Sequence, residues 1–102
     1  MNMVKIELQI VKHKPQSESQ RLQVLKKMAL LYGGASVVSI EGVWYNEATG
    51  LLEADDSWIV YSYTPTPDEG VLIDLARSVA IALNECAVML VIDNNVKFVG
   101  KD

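Results

Sequence analysis

The chain has 102 residues, half of them apolar, with a net charge of −4 and one cysteine. That length supports one domain over 1–102 with a core of its own. A lone cysteine excludes an internal disulfide and any cysteine-rich zinc site. The apolar runs are short and broken by charge, and no basic segment followed by a long apolar one opens the chain. Neither a membrane span nor a secretory leader is therefore expected, and the expected setting is cytoplasmic.

The net charge conceals a polarity. Residues 1–34 hold six basic side chains against two acids, whereas residues 35–102 hold three against eleven. A general nucleic-acid binder needs basic residues across a whole face, so nucleic acid is not an expected partner. A protein partner on the acidic part, or a small anionic ligand on the basic third, agrees better with this layout.

In chain order, Val4, Ile6, Leu8 and Ile10 alternate with Lys5, Glu7 and Gln9, the period-two pattern of a half-buried strand. Pro15 ends it, and Ser17 or Ser19 is placed to cap a helix through about Tyr32. Leu22, Leu25, Met28, Ala29 and Tyr32 recur at three- and four-residue spacing and predict the buried stripe. Gly33-Gly34 stops the helix and lets the chain reverse.

Residues 37–64 predict one long β-hairpin. Asn46-Glu47-Ala48-Thr49-Gly50 has four-residue-loop chemistry, with a polar residue to bond backbone locally and Gly where φ turns positive. That sets Asn46 opposite Leu51, Trp44 opposite Glu53, Gly42 opposite Asp55, Glu41 opposite Asp56 and Val38 opposite Ile59. Both faces are then partly apolar, which points to exposed aromatics or to a second buried surface. Thr64-Pro65-Thr66-Pro67 closes the hairpin, and a second helix over about 68–84 buries Leu72, Leu75, Ala76, Val79 and Leu83. Ala87 to Ile92 predicts a fourth strand, Asp93-Asn94-Asn95 a turn, and 96–99 a short edge strand or an extension.

The order β-α-β-β-α-β predicts an α+β fold of the ferredoxin-like, split βαβ kind: a four-stranded antiparallel sheet with two helices on one face. The other face would be closed by self-association, so a homo-oligomer is expected, with Trp44, Tyr45, Trp58, Val60 and Met89 as candidate interface residues.

Two clusters carry candidate chemistry. Glu41, Glu53, Asp55 and Asp56 are dense enough to suggest a hard cation, but the register sends two to each face and no calcium-loop spacing is present. They are read as an acidic rim, with Glu53 beside Trp44 as a candidate acid or base. Lys12, His13 and Lys14 precede a helix N-terminus and form a candidate anion site. No phosphate-loop or dinucleotide-binding pattern supports a defined nucleotide site, and no serine stands in a nucleophile-elbow sequence. Tyr61, Tyr63, Trp44 and Trp58 could stack on bases, but their surroundings are acidic. Cys86, between Glu85 and Ala87, is expected to be a small buried filler. No catalytic residue, metal or cofactor is assigned.

The run Gly42-x-Trp44, then Asn46 to Gly50, Glu53, and later Asn84-Glu85-x-x-Val88 resembles the pattern of small bacterial and phage ferredoxin-like proteins. The resemblance covers about the last two thirds of the chain. It implies the fold and a mobile-element setting, and carries no catalytic residues across. The functional expectation is a non-enzymatic, self-associating binding module working through its open sheet face and acidic hairpin. One alternative is a small dimeric α+β barrel enzyme using Glu53, Tyr61 or His13 for proton transfer. Another is a phage-type inhibitor that sequesters a host protein or signalling nucleotide.

Overall fold

A computed structural model describes residues 2–102. Strand β1 (Val4–Val11) leads to helix α1 (Ser17–Tyr32), strands β2 (Ser36–Ile40), β3 (Val43–Asn46), β4 (Leu51–Ala54) and β5 (Ser57–Thr64), helix α2 (Glu69–Leu83) and strands β6 (Val88–Ile92) and β7 (Asn95–Val99). The α+β class holds, with two helices, but the expected four-stranded sheet does not. The described residues form seven strands: a five-stranded antiparallel sheet in the order β2-β5-β1-β6-β7 and a separate two-stranded sheet of β3 and β4.

Two local features account for the difference. At the C-terminal end, Asp93 and Asn94 take φ of 50° and 68°. These are left-handed values that short polar side chains tolerate, and they fold a tight hairpin that brings β7 beside β6. Within 37–64, the hairpin keeps a single register: Val38 pairs with Ile59, Ile40 with Ser57, Val43 with Ala54, Trp44 with Glu53 and Asn46 with Leu51. Its ladder is interrupted at Glu41-Gly42 and Asp55-Asp56, where the Asp55 N–H donates to the Gly42 carbonyl at 2.7 Å. The lower half joins the main sheet and the upper half leaves it as a projecting arm. The resulting shape is elongated, 47 × 26 × 26 Å.

The core lies between one sheet face and both helices. Alternation puts Ile6, Leu8 and Ile10 of β1, Val60 of β5, and Val88, Leu90 and Ile92 of β6 on that face. Val24 and Met28 of α1, and Leu72, Ala76, Val79, Ala80 and Leu83 of α2, cover them.

Helix α2 follows its sequence pattern, with Asp68 as N-cap accepting from the Val71 N–H at 3.2 Å and Asn84 in the left-handed conformation at its end. In α1 the expected stripe holds at Met28, which is buried, and at Leu25 and Tyr32, which pack on the core, but Leu22 is exposed and Ser17, Gln20 and Val24 also face inward. Neither expected serine caps that helix. Gln16 occupies the N-cap without a side-chain bond, and the Ser17 Oγ accepts from the Lys14 N–H at 3.1 Å. Gly33, at φ 86°, ends α1 by donating its N–H to the Ala29 carbonyl at 2.8 Å. No helix among the described residues is long and apolar enough to cross a membrane.

Candidate functional site

The basic loop between β1 and α1 is well defined, but its two lysines diverge. The Lys12 N–H donates to the Asp56 carbonyl at 3.0 Å, and His13 turns the chain with a φ of 69°. The Lys12 Nζ then lies 5.3 Å from the centroid of the Trp58 ring, which the Arg21 guanidinium also approaches at 4.9 Å. Lys14 instead pairs with Glu85 at 3.3 Å. His13 is exposed between them. The structure gives Lys12 an indole and Lys14 a carboxylate as partners, and does not gather the three side chains around one point.

The acidic rim is likewise dispersed. Glu53, opposite Trp44 on the arm, accepts from the Asn46 Nδ2 at 2.9 Å. Asp55 and Asp56 lie at the root of the arm, where the ladder breaks, and Glu41 is exposed. Among the described residues no three or more His, Cys, Asp or Glu side chains come together as a metal site.

The expected interface residues separate into two groups. Trp44 and Tyr45 stand exposed on the arm, and Met89 is half-buried on the helix-free sheet face. Val60 requires correction, and Trp58 lies on the same face. Pairing with Leu8 and Ile10 of β1, they sit on the face that the helices cover, and Val60 is 0% exposed. Val60 thus has no surface left for another molecule, whereas Trp58 is half-buried at the margin of the core, with Lys12 and Arg21 against its ring. Cys86 also departs from expectation, being exposed in the connection from α2 to β6.

The sequence patterns did not single out a cleft between the end of α1 and β5. It has a volume of about 410 Å³ and is lined by Tyr32, Gly33, Gly34, Ala35 and Ser36 after α1, and by Tyr61, Ser62 and Tyr63 of β5. That volume falls within the range of small-molecule sites, roughly 300–1,000 Å³. The Gly-Gly turn builds one wall, and a Cβ on either glycine would meet nothing within 4 Å. Ser62 fixes this wall to the sheet by donating its hydroxyl to the Gly34 carbonyl.

Tyr61 and Tyr63 meet edge to face, with centroids 6.1 Å apart and planes at 86°. Lys5 lies 4.8 Å from the Tyr61 ring centroid and also pairs with Glu7 at 3.4 Å. The Tyr32 hydroxyl oxygen is buried with no hydrogen-bond partner among the described residues. An unpaired buried hydroxyl is costly in isolation and is relieved when a ligand or water reaches it. The cleft thus offers aromatic rings, backbone polar groups and a free phenol, with no carboxylate or imidazole in its lining. Of the proton-transfer candidates, Tyr61 lines it, and Glu53 and His13 do not.

A second cleft, of about 180 Å³, lies where Gln9, Val11 and Asp55 approach Met89, Phe98 and the start of β6. It is too small to enclose a nucleoside-sized ligand.

The sequence matches no family model and no curated relative. Solved structures similar in fold include a phage SAM lyase in complex with S-methyl-5'-thioadenosine, at a TM-score of 0.66 and 12% identity over 96% of this chain and 89% of that chain. A phage SAM lyase in the apo state is similar at a TM-score of 0.68 and 16% identity, over 95% of this chain and 88% of that chain. At these identities the likeness is one of fold.

Proposed function

We propose that the chain binds S-adenosylmethionine in the cleft between the end of α1 and β5, and cleaves it to S-methyl-5'-thioadenosine. The observation that carries this reading is the fold shared across 96% of the chain with a phage lyase holding that thioether. The cleft adds chemical support. Tyr61 and Tyr63 give the adenine a surface to stack on and the sulfonium a π-face to lie against, as cations favour. The unpaired Tyr32 hydroxyl and the backbone of Gly34 to Ser36 supply hydrogen bonds for the ribose or the amino-acid end.

The reaction needs little from the protein beyond binding. S-methyl-5'-thioadenosine forms when the bond from sulfur to the γ-carbon of the methionine side breaks and its electron pair passes to sulfur, which becomes neutral. No water is added in a lyase step, so the released fragment satisfies its own γ-carbon. Its carboxylate oxygen closes onto that carbon as a lactone, or its β-carbon gives up a proton and a double bond forms. The first route requires no protein base, which agrees with a lining that lacks carboxylate and imidazole. The chain's part is then to fold the substrate so that carboxylate and γ-carbon meet, and to exclude the water that would solvate both charges. Tight capture without cleavage would leave a phage-type inhibitor that sequesters the nucleoside.

Calorimetric titration with S-adenosylmethionine, S-adenosylhomocysteine and S-methyl-5'-thioadenosine tests the reading. The positively charged ligand should bind more tightly than S-adenosylhomocysteine, by the 0.5–2 kcal/mol or so of a cation–π contact, about 2- to 30-fold. Tyr63→Ala should remove most of that preference. Absence of binding by all three ligands, or a Tyr63→Ala titration identical to wild type, would contradict it.

A further inference from the structure

Strands β3 and β4 pair with each other and pack extensively against no other element. A lone two-stranded hairpin is marginal in water, yet this one exposes apolar side chains on both faces: Val43, Tyr45 and Leu52 on one, Trp44 and Leu51 on the other, with Leu52 72% exposed. It is also strongly acidic, since residues 41–56 contain five acids and no base.

The exposed side of α1 has the opposite charge and its own uncovered apolar residues. Leu22, Lys26 and Leu30 follow at four-residue spacing along one stripe, flanked by Gln23 and Lys27, and Leu30 is 86% exposed. Lys26 and Lys27 form no ion pair among the described residues, and neither do Glu41 and Glu47.

We propose that the arm of one chain docks on the outer face of α1 of a second copy, setting Val43, Tyr45 and Leu52 against Leu22 and Leu30, and Glu41 and Glu47 against Lys26 and Lys27. Charge selects this partner surface. The helix-free sheet face is also partly apolar, but Lys5 and Glu7 there are already paired, whereas α1 presents two free cations to an arm with two free carboxylates. Two different patches of one chain meet in this contact, so it closes either as a reciprocal pair or as a ring. Covering both patches offsets the exposure that makes each of them anomalous in a monomer.

Charge reversal read by sedimentation velocity tests the contact, with circular dichroism to show that each variant is folded. Wild type should sediment as an oligomer, Lys26→Glu/Lys27→Glu as a monomer, and the same chain carrying Glu41→Lys/Glu47→Lys as an oligomer again. A photo-crosslinker placed at Leu52 should then map to residues 22–30 of another chain. A monomeric wild type, a charge-reversed variant that keeps its oligomer, or crosslinks confined to another arm or to the sheet would overturn the proposal.

Discussion

Gly42 lies so close to Asp55 that a Cβ on the glycine would stand 2.8 Å from the Asp55 carbonyl oxygen. The obstacle is backbone and has no flexible end to move aside, and it sits where the hairpin passes from sheet to arm. Gly42→Ala should therefore cost about 1–3 kcal/mol, the usual range for forced overpacking, and should shift the amide resonances of the arm. Gly34→Ala is the matched control, because its Cβ would meet nothing within 4 Å. Its stability should stay within about 0.5 kcal/mol of wild type in a denaturant melt.

Trp58 joins the core to the surface. Lys12 and Arg21 both approach its ring, at 5.3 and 4.9 Å. Lys12→Met and Arg21→Met should each lower stability by about 0.5–1 kcal/mol. In Trp58→Leu, the cost of either further substitution should fall toward zero, as a double-mutant cycle followed by chemical denaturation would show.

Core and arm should respond unequally to truncation. Leu8 and Leu90 are both 0% exposed and pair across β1 and β6, so Leu8→Ala or Leu90→Ala should cost about 2–5 kcal/mol in thermal or urea unfolding. Leu52→Ala, on the exposed arm, should change unfolding of the isolated chain by less than about 0.5 kcal/mol.

The free phenol of Tyr32 gives a finer test of the cleft. Tyr32→Phe removes a buried hydroxyl that has no partner among the described residues, so the free protein should be as stable as wild type or slightly more so. Affinity for S-adenosylmethionine should fall by about 0.5–1.5 kcal/mol, the net worth of one hydrogen bond, as measured by titration.

Much of the strand layout was legible in the sequence because local chemistry determines it. The Asn46 to Gly50 loop sets the hairpin register, since the Gly50 N–H donates to the Asn46 carbonyl at 2.8 Å and Gly50 takes a φ of 70°. That register held from Asn46 down to Val38. What it could not show was the break at Gly42, which separates the arm from the sheet and turns one expected hairpin into parts of two sheets. The inward face of α1 was legible at Leu25, Met28 and Tyr32 but not at Leu22, because apolar residues occur around much of that helix and two polar ones, Ser17 and Gln20, are among those buried.

The cleft was hidden for a different reason. Gly33-Gly34 reads as a helix stop, and nothing local reveals that its wall will stand against Tyr61 and Tyr63, almost thirty residues later in the chain. Lys12 and Lys14, adjacent in sequence to a helix start, drew attention as an anion site, while their actual partners, Trp58 and Glu85, are distant in sequence.

The most direct measurement is to incubate purified protein with S-adenosylmethionine and follow S-methyl-5'-thioadenosine by liquid chromatography with mass detection, beside Tyr32→Phe and Tyr63→Ala. The thioether should accumulate over many turnovers with wild type, with an equimolar four-carbon lactone or alkene, and more slowly with both variants. Unchanged S-adenosylmethionine after prolonged incubation, or equal rates in all three proteins, would contradict the account.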